Sequence, residues 1–180
     1  MTKPTKHDID KQLEAARRLW GGTLPELDAI AWDAYIISLV GEPGMLSAQD
    51  YRDIRHPLPD INDNPVDAIL EGTHYWLEKE DETDDDDDDD DDDKDDSNFY
   101  VESRLERHKR EILADTKHFG GHLPDRFAVA WAGMLYGLYR WSLISEAEYQ
   151  ELSDLLPNIE NNPVERIERC VEDPQRLGPN

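Results

Sequence analysis

The sequence predicts an all-α fold in which a four-helix module is duplicated in tandem and packed as one pseudo-two-fold helical bundle. Three observations lead to this expectation. Helix start and stop signals recur along the chain, no segment shows the period-two alternation of a strand, and the second part repeats the pattern of the first. Ten consecutive aspartates, residues 84–93, separate the copies. We therefore expect a first module at 1–80, an acidic disordered linker at 81–98 and a second module at 99–180.

The internal repeat consists of matched residues at a nearly constant spacing, which is 99 at first and 98 after one deleted residue. A single gap over roughly 65 residues indicates a duplicated supersecondary unit. The clearest matches are GGTLP at 21–25 with GGHLP at 120–124, Trp32 with Trp131, Tyr51 with Tyr149, and residues 59–66 with 157–164.

The first two helices of each module are marked by glycine and proline. The first helices are expected at 8–20 and 97–119, and both end at a Gly-Gly pair, which provides the left-handed backbone that helix C-termini favour. The second helices are expected at 25–40 and 124–141. Each begins with a proline followed by an acid, which suits the first helical turn and the positive end of the helix dipole.

These second helices are apolar on most sides, as is typical of helices in the middle of a bundle. Each carries small residues at positions i, i+3 and i+7, which lie on one face. Such a stripe lets two backbones approach closely, so we expect the second helices to cross at the centre of the molecule. The alternative is that each stripe receives a large side chain from its own module. The stripes are Ala31, Ala34 and Ser38 in the first copy and Ala130, Gly133 and Gly137 in the second.

The third and fourth helices are predicted from their caps. Ser47 and Ser145 each precede an acid three residues on, Asp50 and Glu148, which fits a capping box. An Asn-Pro pair starts the fourth helix of each module, with asparagine as N-cap and proline at the first helical position. These pairs lie at 64–65 and 162–163.

The charge of the chain limits its partners. The formal net charge is −24; residues 80–98 hold 15 acids and one lysine, and residues 21–79 hold 11 acids and three bases. Such a surface repels nucleic-acid phosphates and anionic lipid but attracts basic proteins. We therefore expect no direct nucleic-acid contact and no membrane contact. The single Cys170 and the polar residues 1–10 favour a cytoplasmic protein without an internal disulfide.

The aspartate run has several interpretations. It could bind cations, mimic nucleic-acid phosphate, tether a basic partner, or serve only as a solvated linker, since a linker tolerates expansion. It could also fold back onto the basic residues at the start of the next helix, although attraction between exposed charges is weak. Those residues are Arg104, Arg107, Lys109 and Arg110.

No catalytic motif is present. The chain lacks a glycine-rich phosphate loop, a Gly-x-Ser-x-Gly elbow and a His-Glu-x-x-His pair. His118 and His122 have metal-like spacing, but a Gly-Gly pair between them interrupts the helix that would align them. Acids near Cys170 raise rather than lower a thiol pKa. We therefore expect neither a cofactor nor a metal.

These observations favour a non-enzymatic binding protein that holds a basic protein partner, as a stoichiometric inhibitor such as the immunity protein of a toxin would. The alternatives are a metal-dependent hydrolase with carboxylates at the module junction, and a DNA mimic. Asp33 lies inside an apolar helix, so it is either on that helix's exposed edge or buried with a partner. The candidate partner-binding residues are acids of the first module: Asp28, Asp33, Asp50, Asp53, Asp60 and Asp63.

Overall fold

The structure is a computed structural model that describes residues 3–40, 45–71 and 102–172. These residues form eight helices and no strand beyond one isolated bridge between Val40 and Leu46, which confirms the all-α prediction for the described ranges. The expected acidic linker at 81–98 lies outside them. The helices are α1 (Lys6–Leu19), α2 (Glu26–Ile37), α3 (Ala48–Arg55), α4 (65–71 of the described residues), α5 (Arg104–His118), α6 (Asp125–Arg140), α7 (Glu146–Ser153) and α8 (Pro163–Glu172).

The helix caps follow local sequence closely. Ser47 and Ser145 both form the expected capping boxes, in which the serine hydroxyl and the acid side chain bond each other's backbone amides. The predicted start of α1, residue 8, is wrong by two residues. The helix begins at Lys6, because Thr5 and Asp8 form a further capping box. Helix α5 likewise begins at Arg104, after its N-cap Ser103, rather than at residue 97.

The loops that precede α2 and α6 have matching geometry. Gly21 and Gly120 have φ of 68° and 75°, a left-handed backbone that glycine adopts without steric cost. The second glycine of each pair donates its amide back into the preceding helix, to Arg17 O and Thr116 O, at 2.8 Å in both cases. Pro25 and Pro124 then occupy the N-cap position, one residue before the helical position that was expected.

Helices α2 and α6 pack against each other through the small residues at the centre of the core. A Cβ atom on Gly133 would lie well inside 3.0 Å of the Ala31 carbonyl oxygen and 3.1 Å from Ala31 Cα. A Cβ on Gly137 would lie 3.0 Å from the Tyr35 carbonyl oxygen and closer still to Ser38 Oγ. The expected close crossing is therefore present, and the alternative of large side chains filling these stripes is wrong at both glycines.

The remaining helices surround this pair. Helix α8 packs on α1, α2 and α6, α3 packs on α1 and α2, and α7 packs on α5 and α6. One continuous hydrophobic core contains residues from both sides of the aspartate run, including Trp32 and Trp131. Trp141 Nε1 also donates to Tyr35 Oη across this core at 2.9 Å. Among the described helices, none combines the length and the apolar character that crossing a bilayer would require.

Candidate functional site

Two depressions lie side by side on one face and share residues 59–61, in the loop between α3 and α4. The larger, here the Asp33 pocket, has a volume of about 380 Å3. It is lined by Asp33, Tyr51, Arg52, Arg55, His56, Leu58, Pro59, Asp60, Ile61 and Asn64. The smaller, here the junction pocket, has a volume of about 320 Å3 and is lined by Glu26, residues 59–63 and Arg126.

Asp33 forms the floor of the Asp33 pocket and is 1% exposed. Its carboxylate accepts a hydrogen bond from Tyr51 Oη at 2.8 Å and one from Asn64 Nδ2 at 2.6 Å, and Arg55 Nε lies 3.3 Å away. The network joins α2 to α3 and to the start of α4, because its members come from all three. A buried carboxylate with fewer partners would be costly to hold there.

Arg55 is held by two carboxylates. In addition to Asp33, it makes a two-pronged contact with Asp67, at 3.1 Å from Nη1 and 2.9 Å from Nη2. This fork geometry is the strongest form of guanidinium–carboxylate pairing. One arginine between two aspartates leaves the cluster with a formal charge of −1.

Burial is the dominant influence on the pKa values of Asp33 and Tyr51. It raises the pKa of Asp33 above the ordinary value, although hydrogen bonds from Tyr51 and the charge of Arg55 act in the opposite direction. Burial, followed by the neighbouring Asp33 charge, also raises the pKa of Tyr51. The tyrosine therefore stays protonated and acts as the donor to Asp33, which leaves its oxygen lone pairs as acceptors.

Two of the six candidate acids are not part of an exposed acidic face. Asp33 is buried with partners, so the alternative that placed it on an exposed helix edge is wrong. Asp28 is also buried, because Arg166 of α8 reaches across and bonds both of its carboxylate oxygens at 2.6 and 2.8 Å. This ion pair ties α2 to α8, and the Arg166 guanidinium also lies 5.5 Å from the Trp20 ring centroid.

The other four candidate acids lie at or near the surface. Asp50 is occupied by its capping box, and Asp53 pairs with Lys6 at 3.4 Å and accepts from Gln49. Asp60 and Asp63 are exposed, and within the described part of the chain neither makes an ion pair. The structure thus brings Asp33, Asp60 and Asp63 to one face and leaves Asp28 elsewhere in the core.

The junction pocket lies where the two parts of the chain meet. Arg126 of α6 donates to the Asn62 carbonyl oxygen at 2.7 Å. Its Nε lies 2.8 Å from Glu26 Oε1, a contact that is an ion pair without being a hydrogen bond. Arg126 therefore pairs with Glu26 and the loop backbone, and within the described residues it forms no ion pair with Asp60 or Asp63.

The corresponding positions of the second half lack the charged network. Ala132 stands in place of Asp33 and Ser153 in place of Arg55, although Tyr149 and Asn162 match Tyr51 and Asn64. Without an acid beneath it, Tyr149 stacks on Tyr139 with ring centroids 4.7 Å apart.

Sequence reasoning missed Arg55 and Asp67 as members of the site. It interpreted Asn64 only as a helix cap, a role that Asn64 does have through its contact with the Val66 amide at 3.1 Å. The available signal was the difference between Asp33 and Ala132 at corresponding positions of two sequence segments that share many other residues.

Among the residues that the structure describes, no three His, Cys, Asp or Glu side chains converge closely enough to hold a metal ion. The large apolar side chains that are exposed there are Leu19, Trp20 and Leu113.

Comparison of the chain with protein-family models, with curated proteins and with solved structures finds no match.

Proposed function

We propose that this chain is a non-enzymatic binding protein that holds a basic protein partner on the face containing the Asp33 pocket and the junction pocket. The observation that carries the proposal is the pair of exposed carboxylates, Asp60 and Asp63, on the loop between the pockets. Neither makes an ion pair within the described ranges. Their charges are therefore available to a cationic surface.

The loop that carries these carboxylates is held in place. Pro59 restricts the backbone, Ile61 packs against the core, and Arg126 bonds the carbonyl oxygen of Asn62 at 2.7 Å. Asp63 has a φ of 50°, a conformation that aspartate tolerates better than most residues. A pre-ordered loop loses little conformational entropy on binding, which favours affinity.

The charge of the whole chain supports a basic partner. A net charge of −24 accelerates the encounter with a cationic protein, and complementary charge contributes to association rate and specificity more than to final affinity. A stoichiometric inhibitor such as the immunity protein of a cytoplasmic toxin gains directly from fast capture. On this proposal the aspartate run assists steering but is not the docking surface.

We further propose that the two halves are copies of one four-helix module related by a pseudo-two-fold axis. Support comes from matched local geometry as well as matched sequence. The capping serines Ser47 and Ser145 have φ of −82° and −77°. Asp63 and Asn161 share positive φ, of 50° and 55°, in the matched turns. The amides of Val66 and Val164 each bond an asparagine cap at 3.1 Å.

The test is association kinetics with a basic nuclease at low and high salt. Replacing both loop acids, Asp60→Asn with Asp63→Asn, should slow association by about tenfold at low salt, because steering depends on charges at the docking face. The matched control, Asp10→Asn with Asp154→Asn, removes the same charge elsewhere and should have a smaller effect. Equal losses in both variants, or an association rate that does not depend on salt, would contradict the proposal.

The same titration separates selective binding from DNA mimicry. A selective binder discriminates among basic proteins of similar net charge because loop geometry and pockets must fit. Competition with duplex DNA for basic DNA-binding proteins in general would instead favour a DNA mimic.

A further inference from the structure

We propose that the Asp33 pocket is the receptor for a single lysine or arginine side chain of the partner. This inference rests on the proposed function and assigns its central contact. The pocket is concave and is lined in part by Asp60, so a side chain entering it would contact this loop acid and the buried network together. Its volume of about 380 Å3 is ample for one long side chain.

The pocket wall suits the hydrocarbon part of a basic side chain. Leu58, Pro59 and Ile61 contribute an apolar side to the lining. Lysine and arginine bury their methylene stems on such surfaces while the charged head reaches a polar group. The Tyr51 ring adds an aromatic surface, against which a guanidinium is also stabilised. The Arg55 guanidinium already lies over this ring, 5.8 Å from the ring centroid.

The charge of the pocket also favours a cation. Asp33, Asp60 and Asp67 contribute three carboxylates at or directly behind the lining, against the guanidiniums of Arg52 and Arg55. Arg55 is neutralised by Asp33 and Asp67, and Arg52 is directed to Gln49 one turn back along α3, at 3.0 Å. Three carboxylates against two guanidiniums leave the pocket with a formal charge of −1, and Asp60 is the carboxylate at its rim that makes no ion pair within the described residues. Because the floor is buried, attraction there is screened less than at the surface.

The hydrogen-bonding groups of the floor present acceptors. Tyr51 uses its proton on Asp33, so its oxygen can only accept from an incoming group. Asn64 uses its amide nitrogen on Asp33 and its oxygen on the Val66 amide. Lysine and arginine carry donors and no acceptor, and therefore complement this floor. An entering carboxylate or phosphate would meet Asp33 and Asp60 together with guanidiniums that are already engaged, Arg52 with Gln49 and Arg55 with Asp33 and Asp67.

The second half of the chain indicates that this polar network is not needed to build the helices. At the matched positions Ala132 and Ser153 replace Asp33 and Arg55, yet α6, α7 and α8 form with the same caps. Buried ion pairs contribute little stability compared with apolar residues of similar size. A charged network in one half alone is thus better explained by recognition than by folding.

The experiment is a 15N NMR titration of the full chain at low salt, with N-acetyl-arginine amide and N-acetyl-lysine amide as probes. N-acetyl-citrulline amide is the neutral match for arginine, and N-acetyl-glutamate amide is the anionic comparison. We expect saturable shifts confined to residues around Tyr51, Ile61 and Asn64, with Kd on the order of millimolar for so small a contact. Asp60→Asn should weaken binding by at least about fivefold, the equivalent of ~1 kcal/mol, and Asp10→Asn should leave it unchanged.

Several results would overturn this assignment. They are binding of the citrulline probe as strong as that of the arginine probe, preferential binding of the glutamate probe, shifts spread over the acidic surface, and no effect of Asp60→Asn. Failure here is distinguishable from failure of the proposed function. In one such result, association with a basic nuclease still depends on salt and on Asp60 and Asp63, but the amide probes bind at no site. That result would support the docking face and contradict only the assignment of the pocket.

Discussion

The contact between α2 and α6 gives the sharpest test of the packing. In Gly133→Ala the new Cβ meets the backbone of Ala31, inside 3.0 Å of its carbonyl oxygen and 3.1 Å from its Cα. No side-chain rotation can relieve a clash with backbone, so the helices must separate. A gap of about 0.5–1 Å forfeits a quarter to a half of the dispersion attraction between facing atoms.

The expected magnitude follows from two opposing effects. Overpacking a well-packed core costs about 1–3 kcal/mol, and an obstacle made of backbone belongs at the upper end. Replacing glycine by alanine in a helix interior adds about 1 kcal/mol to the stability of the helix. The net expectation is a loss of about 2 kcal/mol in the free energy of unfolding, equivalent to a decrease of about 4–8 °C in Tm for a chain of this size.

The assay is urea unfolding monitored by circular dichroism. Gly137→Ala is the comparison variant, because its clash involves a side chain. That Cβ collides mainly with the Ser38 hydroxyl, which is a side-chain atom. Ser38→Ala should therefore recover part of the stability lost in Gly137→Ala and none of that lost in Gly133→Ala. A Gly133→Ala protein more stable than the parent by about 1 kcal/mol, as propensity alone predicts, would refute the close crossing.

Four further predictions concern the Asp33 network, the cap at Asp50, the buried cysteine and the aspartate run. Asp33→Ala should destabilise the fold by about 2–4 kcal/mol in chemical unfolding, because it strands the donors of Tyr51 and Asn64 in the interior; an unchanged midpoint would contradict the network. Asp50→Asn should lower stability most at a pH above 3.8, the ordinary carboxyl pKa, and progressively less as the pH falls from there through the folded-state pKa of Asp50, which the capping contacts depress; a loss that is constant with pH would exclude this origin. Cys170, whose pKa burial raises to about 11, should react with a thiol reagent at pH 8 only upon unfolding, and rapid reaction of the native chain would disprove its burial. Replacing residues 84–93 by a Gly/Ser linker of equal length should leave Tm unchanged or slightly higher, because it removes self-repulsion, whereas a large decrease would show that the run packs on the body.

Much of the fold was predictable because its signals are local. The boxes at Ser47 and Ser145, the glycine pairs after α1 and α5, and the Asn-Pro caps each act within a few residues, so the sequence predicts them without knowledge of the whole. The errors were also local. Thr5 was overlooked as a cap, and Pro25 and Pro124 were placed one position too late.

The candidate site was only partly predictable. Asp60 and Asp63 were identified from charge alone, and both lie on the proposed docking face. Charge cannot distinguish an exposed acid from a paired one, however, and this is why Asp28 was included. Its partner, Arg166, is 138 residues away, a separation at which no local pattern reports contact.

The sequence by itself determined the helical class, the helix caps and the small faces through which α2 and α6 approach each other, since these depend on residue type and short spacings. Only the tertiary structure decided that Asp33 is buried and that Tyr51, Arg55 and Asn64 converge on it. A hydrogen-bonded cluster of this kind is specified by relative helix positions, which the entire core sets jointly. The pocket above Asp33 therefore exists only because α2, α3 and the start of α4 are packed together.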